Sequence, residues 1–567
     1  MYKVDRRGQT KTLIQTKTNI IETVVLLVGI VYHGMFEEWV CGACGIVLMV
    51  LLLARIRETN SLQLPKEPLL VMLSILPIAA LVTIPYAIDG GMAALGFVKF
   101  FPVAVWTLLV KEEEKEGLLR LIPFAGALTA LAGLIAWVTP LRDSFYLNNN
   151  RLSGTFQYAN SFALFLLIGI IIVLWKKYAI WQKIIIFTIS TAGIMATGSR
   201  TVFCLLVLVV IAWLICCIVD RKPANLAIFA GIFFAMMLTM PKVVERFTSL
   251  NIESSSFSAR ILYNIDGIKM VLEHPFGLGY KGFLFYQGAV QSGNYSATFA
   301  HNELLQTALD FGIIIAIAMA VAWIIAVFRK GIKIENRIIL IVAALHSLFD
   351  WSQQFGVILM IVVLATENKR VKEVRFAGKT RAAACGIAAL ACAVSLWLSI
   401  ATFMEYTGNF STAVNVYPYL TTSQMRVINE AGSDKERYEA AESICRRNDY
   451  CTIALQAMAE KSARKGNFEK MAEYGEKAIE SARYNTTGYE LYLYLLSYAV
   501  ETCGQQGKQD EALGYLQKVT EVTEQIENVN KSTNALAYNL YNKPDIQLSP
   551  EYIDYIEKAE SIMEGRI

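Results

Sequence analysis

Long apolar runs dominate residues 20 to 402, and ordinary polarity returns from 403 to 567. A run of about 20 apolar residues crosses the hydrocarbon as a helix, and that criterion predicts spans near 20–36, 39–55, 68–88, 91–110, 117–139, 158–175, 181–198, 201–219, 224–240, 304–328, 337–349, 353–366 and 382–402. The two short runs on either side of Asp350 leave the count at 12 or 13, because they suit a hairpin that fails to cross fully. The basic start (Lys3, Arg6, Arg7, Lys11, Lys17) is followed by no small-residue cleavage site, so the first run reads as a retained helix. The expected fold is all-α: a polytopic membrane domain over 1–402, then a soluble helical domain over 403–567.

The longest polar interruption among the apolar runs is the loop 241–303. Within it, Ile261, Ile265, Ile268 and Leu272 recur at helical spacing and predict an amphipathic helix suited to a membrane surface. Ser256 or Ser258 is the expected cap, Pro275 the expected stop, and a Gly-rich turn comes next at Gly277, Gly279 and Gly282.

The tail has its own period. GNFEKMAEYGEKAI and GKQDEALGYLQKV each place a helix-ending glycine (Gly466, Gly507) before a helix with small or apolar residues at set offsets. That is the tetratricopeptide pattern, with a longer interval than usual, and a helix near 434–447 suits half of a third repeat. Such units stack into a concave surface that binds a protein or peptide, or serve as a plain helical spacer.

Composition adds three constraints. The chain has 567 residues, of which 55% are hydrophobic and 18% charged, and its mean hydropathy is +0.43, so the charge deficit belongs to the membrane part. A net charge of +4 gives no reason to expect nucleic acid. Lysine and arginine concentrate in alternate connections (Arg55/Arg57, Lys111/Lys115, Lys176/Lys177, Arg221/Lys222, Arg329 to Lys333, Lys369 to Arg381), which predicts that those ends are cytoplasmic. The N-terminus is then cytoplasmic, while 140–157, 241–303 and the tail face outward. Of ten cysteines, those in apolar runs read as small hydrophobes, Cys41 and Cys44 included; Cys445 and Cys451 are candidates to pair if the tail is outside.

Charge is scarce enough that its exceptions carry information. Arg151, Arg200 and Arg260 stand on the expected outer side. Arginine offers a planar fork of donors to phosphate oxygens, so the three suit a lipid-linked pyrophosphate, or more simply lipid headgroups. His301, just before Asn302 and an apolar helix, is the expected general base, with a helix-capping role as the alternative. His274 reads as structural, and His346 and Asp350 as a packing pair on one helix face. Lys99 reads as snorkelling or as facing an internal cavity. Glu37 and Glu38 could imitate a metal-binding outer loop, yet no Asp-x-Asp or His/Asp cluster stands there, so neither metal nor cofactor is expected.

RLSGTFQYANSFALFL, TGSRTVF, SARILYNIDGIKMVLEHPFGLGYKGF, AHNELLQTALDFG and HSLFDWSQQFGVILMIVV, in this order, resemble the O-antigen ligase and polymerase superfamily over about 20–366. The resemblance implies a GT-C-like multi-helix fold. It also implies transfer of a glycan from an undecaprenyl-pyrophosphate carrier to an acceptor hydroxyl on the outer face of the cytoplasmic membrane. By match it assigns function to Arg200, Arg260 and His301, and substrate binding to Arg151 and Asn160. The helical tail departs from a minimal ligase and leaves polysaccharide, lipid or protein as the acceptor. Rival readings are a protein O-oligosaccharyltransferase, a lipid-linked oligosaccharide transporter and an assembly scaffold.

Overall fold

The structure is a computed structural model that describes residues 20–219 and 255–565; the expected span at 224–240 lies outside the described residues. The protein is almost wholly helical. Among the described residues, seven helices are long and apolar enough to cross a membrane: Glu38–Thr59, Pro68–Tyr86, Gly90–Leu109, Glu112–Ala136, Ile180–Thr197, Arg200–Val219 and Gly378–Tyr406. Shorter apolar helices are Ile20–Val31, Ala159–Trp175, Ile313–Phe328 and Gly356–Ala365.

The helices sort by how much of their circumference is covered. Gly90–Leu109 and Ala159–Trp175 are buried nearly all round and form the centre with Gly356–Ala365. A helix that is apolar on every face and covered on every face is an interior helix. Glu112–Ala136, Arg200–Val219 and Gly378–Tyr406 pack around them and leave Leu128, Ile218, Ile387 and similar residues exposed on the outside. Such an apolar exterior suits hydrocarbon rather than water.

The basic connections gather at one end. A two-stranded antiparallel ribbon pairs Ser61–Pro65 with Val371–Arg375, and nearby Arg329 meets Glu67, Lys333 meets Glu116 and Lys176 meets Glu335. The segments 84–89, 139–158, 196–200 and 348–355 and the loop from residue 255 to 302 gather at the other end, joined by bonds such as Ile88 N–H to Leu278 O (2.9 Å).

Two expected spans are revised. The 304–328 run is two helices, Glu303–Phe311 and Ile313–Phe328, broken at Gly312. Gly312 has φ +90°, and a Cβ there would lie 2.8 Å from the Phe276 backbone. The Gly277 turn presses into this break, where Pro275 O accepts from Ile313 N–H at 3.0 Å and Leu309 O from Leu278 N–H at 2.6 Å. The 353–366 run is helical only over Gly356–Ala365, which at about 1.5 Å per residue falls well short of a bilayer. The amphipathic helix is Ser255–Glu273, so Ser256 and Ser258 lie inside it and do not cap it; Pro275 does come just after its end. Its predicted apolar row stays outward, with Ile268 and Leu272 exposed, while Leu262, Asp266, Met270 and Val271 are buried.

The tail is a stack of antiparallel helices: Asp434–Cys445, Thr452–Arg464, Phe468–Ser481, Thr486–Gln505, Gln509–Ser532 and Pro550–Met563. Gly466 (φ +69°) and Gly507 (φ +74°) end their helices as expected. Cys445 and Cys451 are separate free thiols. Asp89 clamps the stack to the membrane part, accepting from Thr421 Oγ1 (2.5 Å) and Asn448 Nδ2 (3.0 Å), with Arg447 Nε at 3.7 Å. A second seam joins the tail to the loop: Arg483 N–H donates to Gly288 O (3.1 Å) and Asn534 N–H to Ser292 O (2.9 Å).

Gly288 makes that seam possible, because a Cβ there would lie 2.2 Å from the Ser481 carbonyl oxygen. Overpacking of this kind costs about 1–3 kcal/mol. We expect Gly288→Ala to raise amide exchange and protease cutting in the tail while the membrane helices stay protected. Gly504→Ala, with nothing within 4 Å of its Cβ, serves as the control and leaves exchange unchanged or slower.

Candidate active site

The site is built around a buried carboxylate. Asp350 sits in the short connection between Ile334–Ser347 and Gly356–Ala365, with its side chain 3% exposed. Tyr158 Oη donates to its Oδ1 at 2.7 Å and Asn160 Nδ2 to its Oδ2 at 2.5 Å. Its own neighbour Trp351 donates a backbone N–H at 2.9 Å. Arg260 Nη2 lies 3.4 Å from Oδ2 and His301 Nδ1 3.4 Å from Oδ1.

Each partner arrives for a local reason. Tyr158 and Asn160 flank the start of the interior helix Ala159–Trp175, where the chain turns in from the 139–158 connection. Arg260 stands one turn into the amphipathic helix, where Asn264 Nδ2 donates to its carbonyl oxygen at 2.7 Å. His301 has φ +54°, a left-handed conformation uncommon for a residue with a Cβ. Its neighbour Asn302 holds it there. The Asn302 side chain caps the helix at Leu305 N–H (3.2 Å) and donates to Asn264 Oδ1 (2.9 Å), so the histidine is tied to the arginine's helix. The imidazole lies between the rings of Tyr263 (5.6 Å) and Trp351 (6.2 Å).

Electrostatics reflect this crowding. Burial alone pushes the Asp350 carboxyl up, but the His301 imidazole, the Arg260 guanidinium and His346 outweigh it and hold the carboxyl well below the usual range. Asp350 is therefore a fixed anion. Its Oδ1 lies 3.4 Å from His301 Nδ1, a position from which a carboxylate can orient an imidazole. The side chains of His301 and Arg260 remain 22% and 28% exposed, so both are reachable from outside.

The expected residues fall in two groups. Asp350 joins Arg260, His301 and Asn160 directly, and Arg151 joins through Asn160, donating to its Oδ1 at 2.6 Å. Arg151 Nε also donates to Thr197 O at 2.7 Å, so it braces the Gly198–Ser199 turn that leads into Arg200. Arg200 opens its helix half-buried. Among the described residues no polar contact links its guanidinium to Asp350.

Other expectations are corrected. Asp350 does not pair with His346, which instead meets Ser352 Oγ through Nδ1 at 3.2 Å. Lys99 does not snorkel to a surface; it is buried, bonds Phe36 O and sits 4.1 Å from the centre of the Phe36 ring. Glu38 is taken by Lys281 (2.7 Å) and Tyr280 Oη (2.9 Å), and Glu37 pairs with His33 at 3.5 Å. Among the described residues no group of three His, Cys, Asp or Glu side chains could hold a metal ion. His274 packs edge-on against Tyr286, in keeping with a structural role.

The sequence model of the O-antigen ligase family matches residues 184–320, a stretch that holds Arg200, Arg260 and His301. Arg151, Asn160 and Asp350 lie outside it. No curated protein matches the chain. The match and the apolar helices together support a multi-pass membrane enzyme of the O-antigen ligase type.

Removing the Asp350 carboxylate leaves buried donors and a cation without their partner, which costs about 3–5 kcal/mol. We expect Asp350→Ala to lower the thermal midpoint of the solubilised protein accordingly. The sign with pH is set by the lowered carboxyl: its contribution is present above an unfolded value of about 3.9 and is lost as pH falls. Thermal midpoints should therefore drop on acidification in the wild type, with a shallower slope in Asp350→Asn.

Proposed function

We propose that the protein is an inverting membrane glycosyltransferase that moves a glycan from an undecaprenyl-pyrophosphate carrier to an acceptor hydroxyl, at the outer face of the cytoplasmic membrane. The observation that carries this reading is the triad of Asp350, His301 and Arg260, fixed at the end of the helical bundle opposite the basic connections. His301, oriented by Asp350, takes the proton from the acceptor hydroxyl. The oxygen then attacks the anomeric carbon as the bond from that carbon to the pyrophosphate oxygen breaks. The electron pair leaves with the pyrophosphate, whose growing charge meets Arg260 and Arg200. Arg151 and Asn160 hold the walls and contact the donor. A single displacement inverts the anomeric centre.

This chemistry needs no metal, since fixed cations neutralise the leaving group. The helical stack fits the tetratricopeptide architecture and, with the loop, faces the outside of the cell. A transporter reading is weaker. It would call for a matching polar site at the opposite end, whereas the buried charges there are consumed in ion pairs such as Lys176 to Glu335 at 3.1 Å. A protein acceptor is the second reading among transferases.

Loss of a general base removes about 10²–10⁴ of rate. We expect His301→Ala and Arg260→Ala each to abolish product from a lipid-linked glycan, with membrane insertion retained. Wild-type transfer should persist in EDTA. Normal product from His301→Ala would sink the mechanism.

A further inference from the structure

The seam between loop and tail is flanked by two clefts that share Tyr450 and Ser481. One, of about 610 Å³, is lined by Lys269, Lys477 and Arg483 and by Glu273, Asp449 and Glu480. The other, of about 490 Å³, has no Asp, Glu, Lys, Arg or His in its lining. Its polar groups are amides and hydroxyls, among them Gln291, Asn294, Asn485 and Thr486, and its rings include Tyr295 and Tyr450. In so charge-rich a tail, a cleft of ligand size without one carboxylate, ammonium, guanidinium or imidazole is a chemical choice, since sites of about 300–1,000 Å³ hold small ligands.

We propose that this charge-free cleft is the subsite for the acceptor, and that the acceptor is a neutral, hydroxyl-rich sugar chain. Amides and hydroxyls both donate and accept, as sugar hydroxyls do, while tyrosine rings offer faces to sugar C–H groups. An anionic polymer would lose hydration here and find no cation. A lipid would meet too many polar groups.

The cleft is also placed to feed the catalytic centre. Tyr295 in its wall meets Tyr263 with the rings tilted and their centres 4.7 Å apart, and Tyr263 lies 5.6 Å from the His301 ring. Asp266, buried in the amphipathic helix, accepts from Tyr295 Oη at 2.8 Å and from Ser292 N–H at 2.8 Å, which fixes this wall to the helix that bears Arg260. One wall belongs to the loop and the other to the tail, so the tail helps to form the acceptor site.

This inference rests on the transferase reading, and the test separates the two. Neutral oligosaccharides released by hydrolysis from the producing cell's own surface polysaccharide are titrated into the full-length solubilised protein and followed by saturation-transfer NMR, with polygalacturonate fragments as the anionic control. The wild type should bind the neutral series and ignore the control. Ser296→Trp and Thr486→Trp, which narrow the cleft from opposite walls, should each weaken binding about tenfold or more, or roughly 1.4 kcal/mol, at unchanged thermal midpoint. His301→Ala should bind as the wild type does. Failure of the wild type to bind, equal binding of polygalacturonate, or full affinity in both tryptophan variants would overturn the proposal. If the cleft binds the neutral chain while His301→Ala makes normal product, the catalytic mechanism fails and the subsite stands.

Discussion

A carboxylate buried where water cannot reach it must be matched by fixed donors, and at Asp350 that requirement organises one end of the protein. Its two oxygens take partners from the start of an interior helix (Tyr158, Asn160), the amphipathic loop helix (Arg260) and the segment before Glu303 (His301). These elements are far apart in sequence and share no backbone ladder. Packing alone would leave their relative placement soft, since helices in an apolar bundle slide more easily than charges separate. The anion converts a loose meeting of three segments into one geometry.

The loop helix is constrained from two further directions. Its apolar row, with Ile268 and Leu272, faces outward, while its buried face meets the tail through Leu262, Tyr295, Ala537 and Leu540. Its far end runs into the Gly277 turn lodged against the Gly312 break. A segment that reads along the chain as a polar interruption is thus fixed on three sides: the carboxylate, the tail and the broken helix. The row is left uncovered at Ile268 and Leu272, and that is the face a membrane surface would cover.

Much of this is legible in the sequence, for physical reasons. Apolar run length locates most helices, because hydrocarbon imposes a length. Scarcity of charge singles out Arg260 and His301, because a charge there has to be explained. The same logic misjudges Asp350, since four-residue spacing from His346 suggests one continuing helix. The chain instead leaves the helix at Ser347 and turns the carboxylate toward partners that no local spacing could reveal. A strictly local pattern also misses the break at Gly312, where one glycine in an apolar run carries no signal until the Phe276 backbone is found against it. The snorkelling reading of Lys99 fails for a related reason: burial by Phe36 is a tertiary fact.

The tail changes what the site can be. Had it been a spacer, its contact with the membrane part would need only one anchor, and Asp89 with Arg447 supplies one. The second seam, at Gly288 and Ser292, lies instead along the loop that carries Arg260 and His301. A backbone seam demands a glycine and strict register, so it is a poor way to attach a spacer and a good way to shape a groove. The two clefts beside it differ in charge although they share Tyr450 and Ser481, so their chemistry is set by the residues facing each one. In the proposed reaction the tail then bears on which acceptor reaches His301, through the wall it contributes.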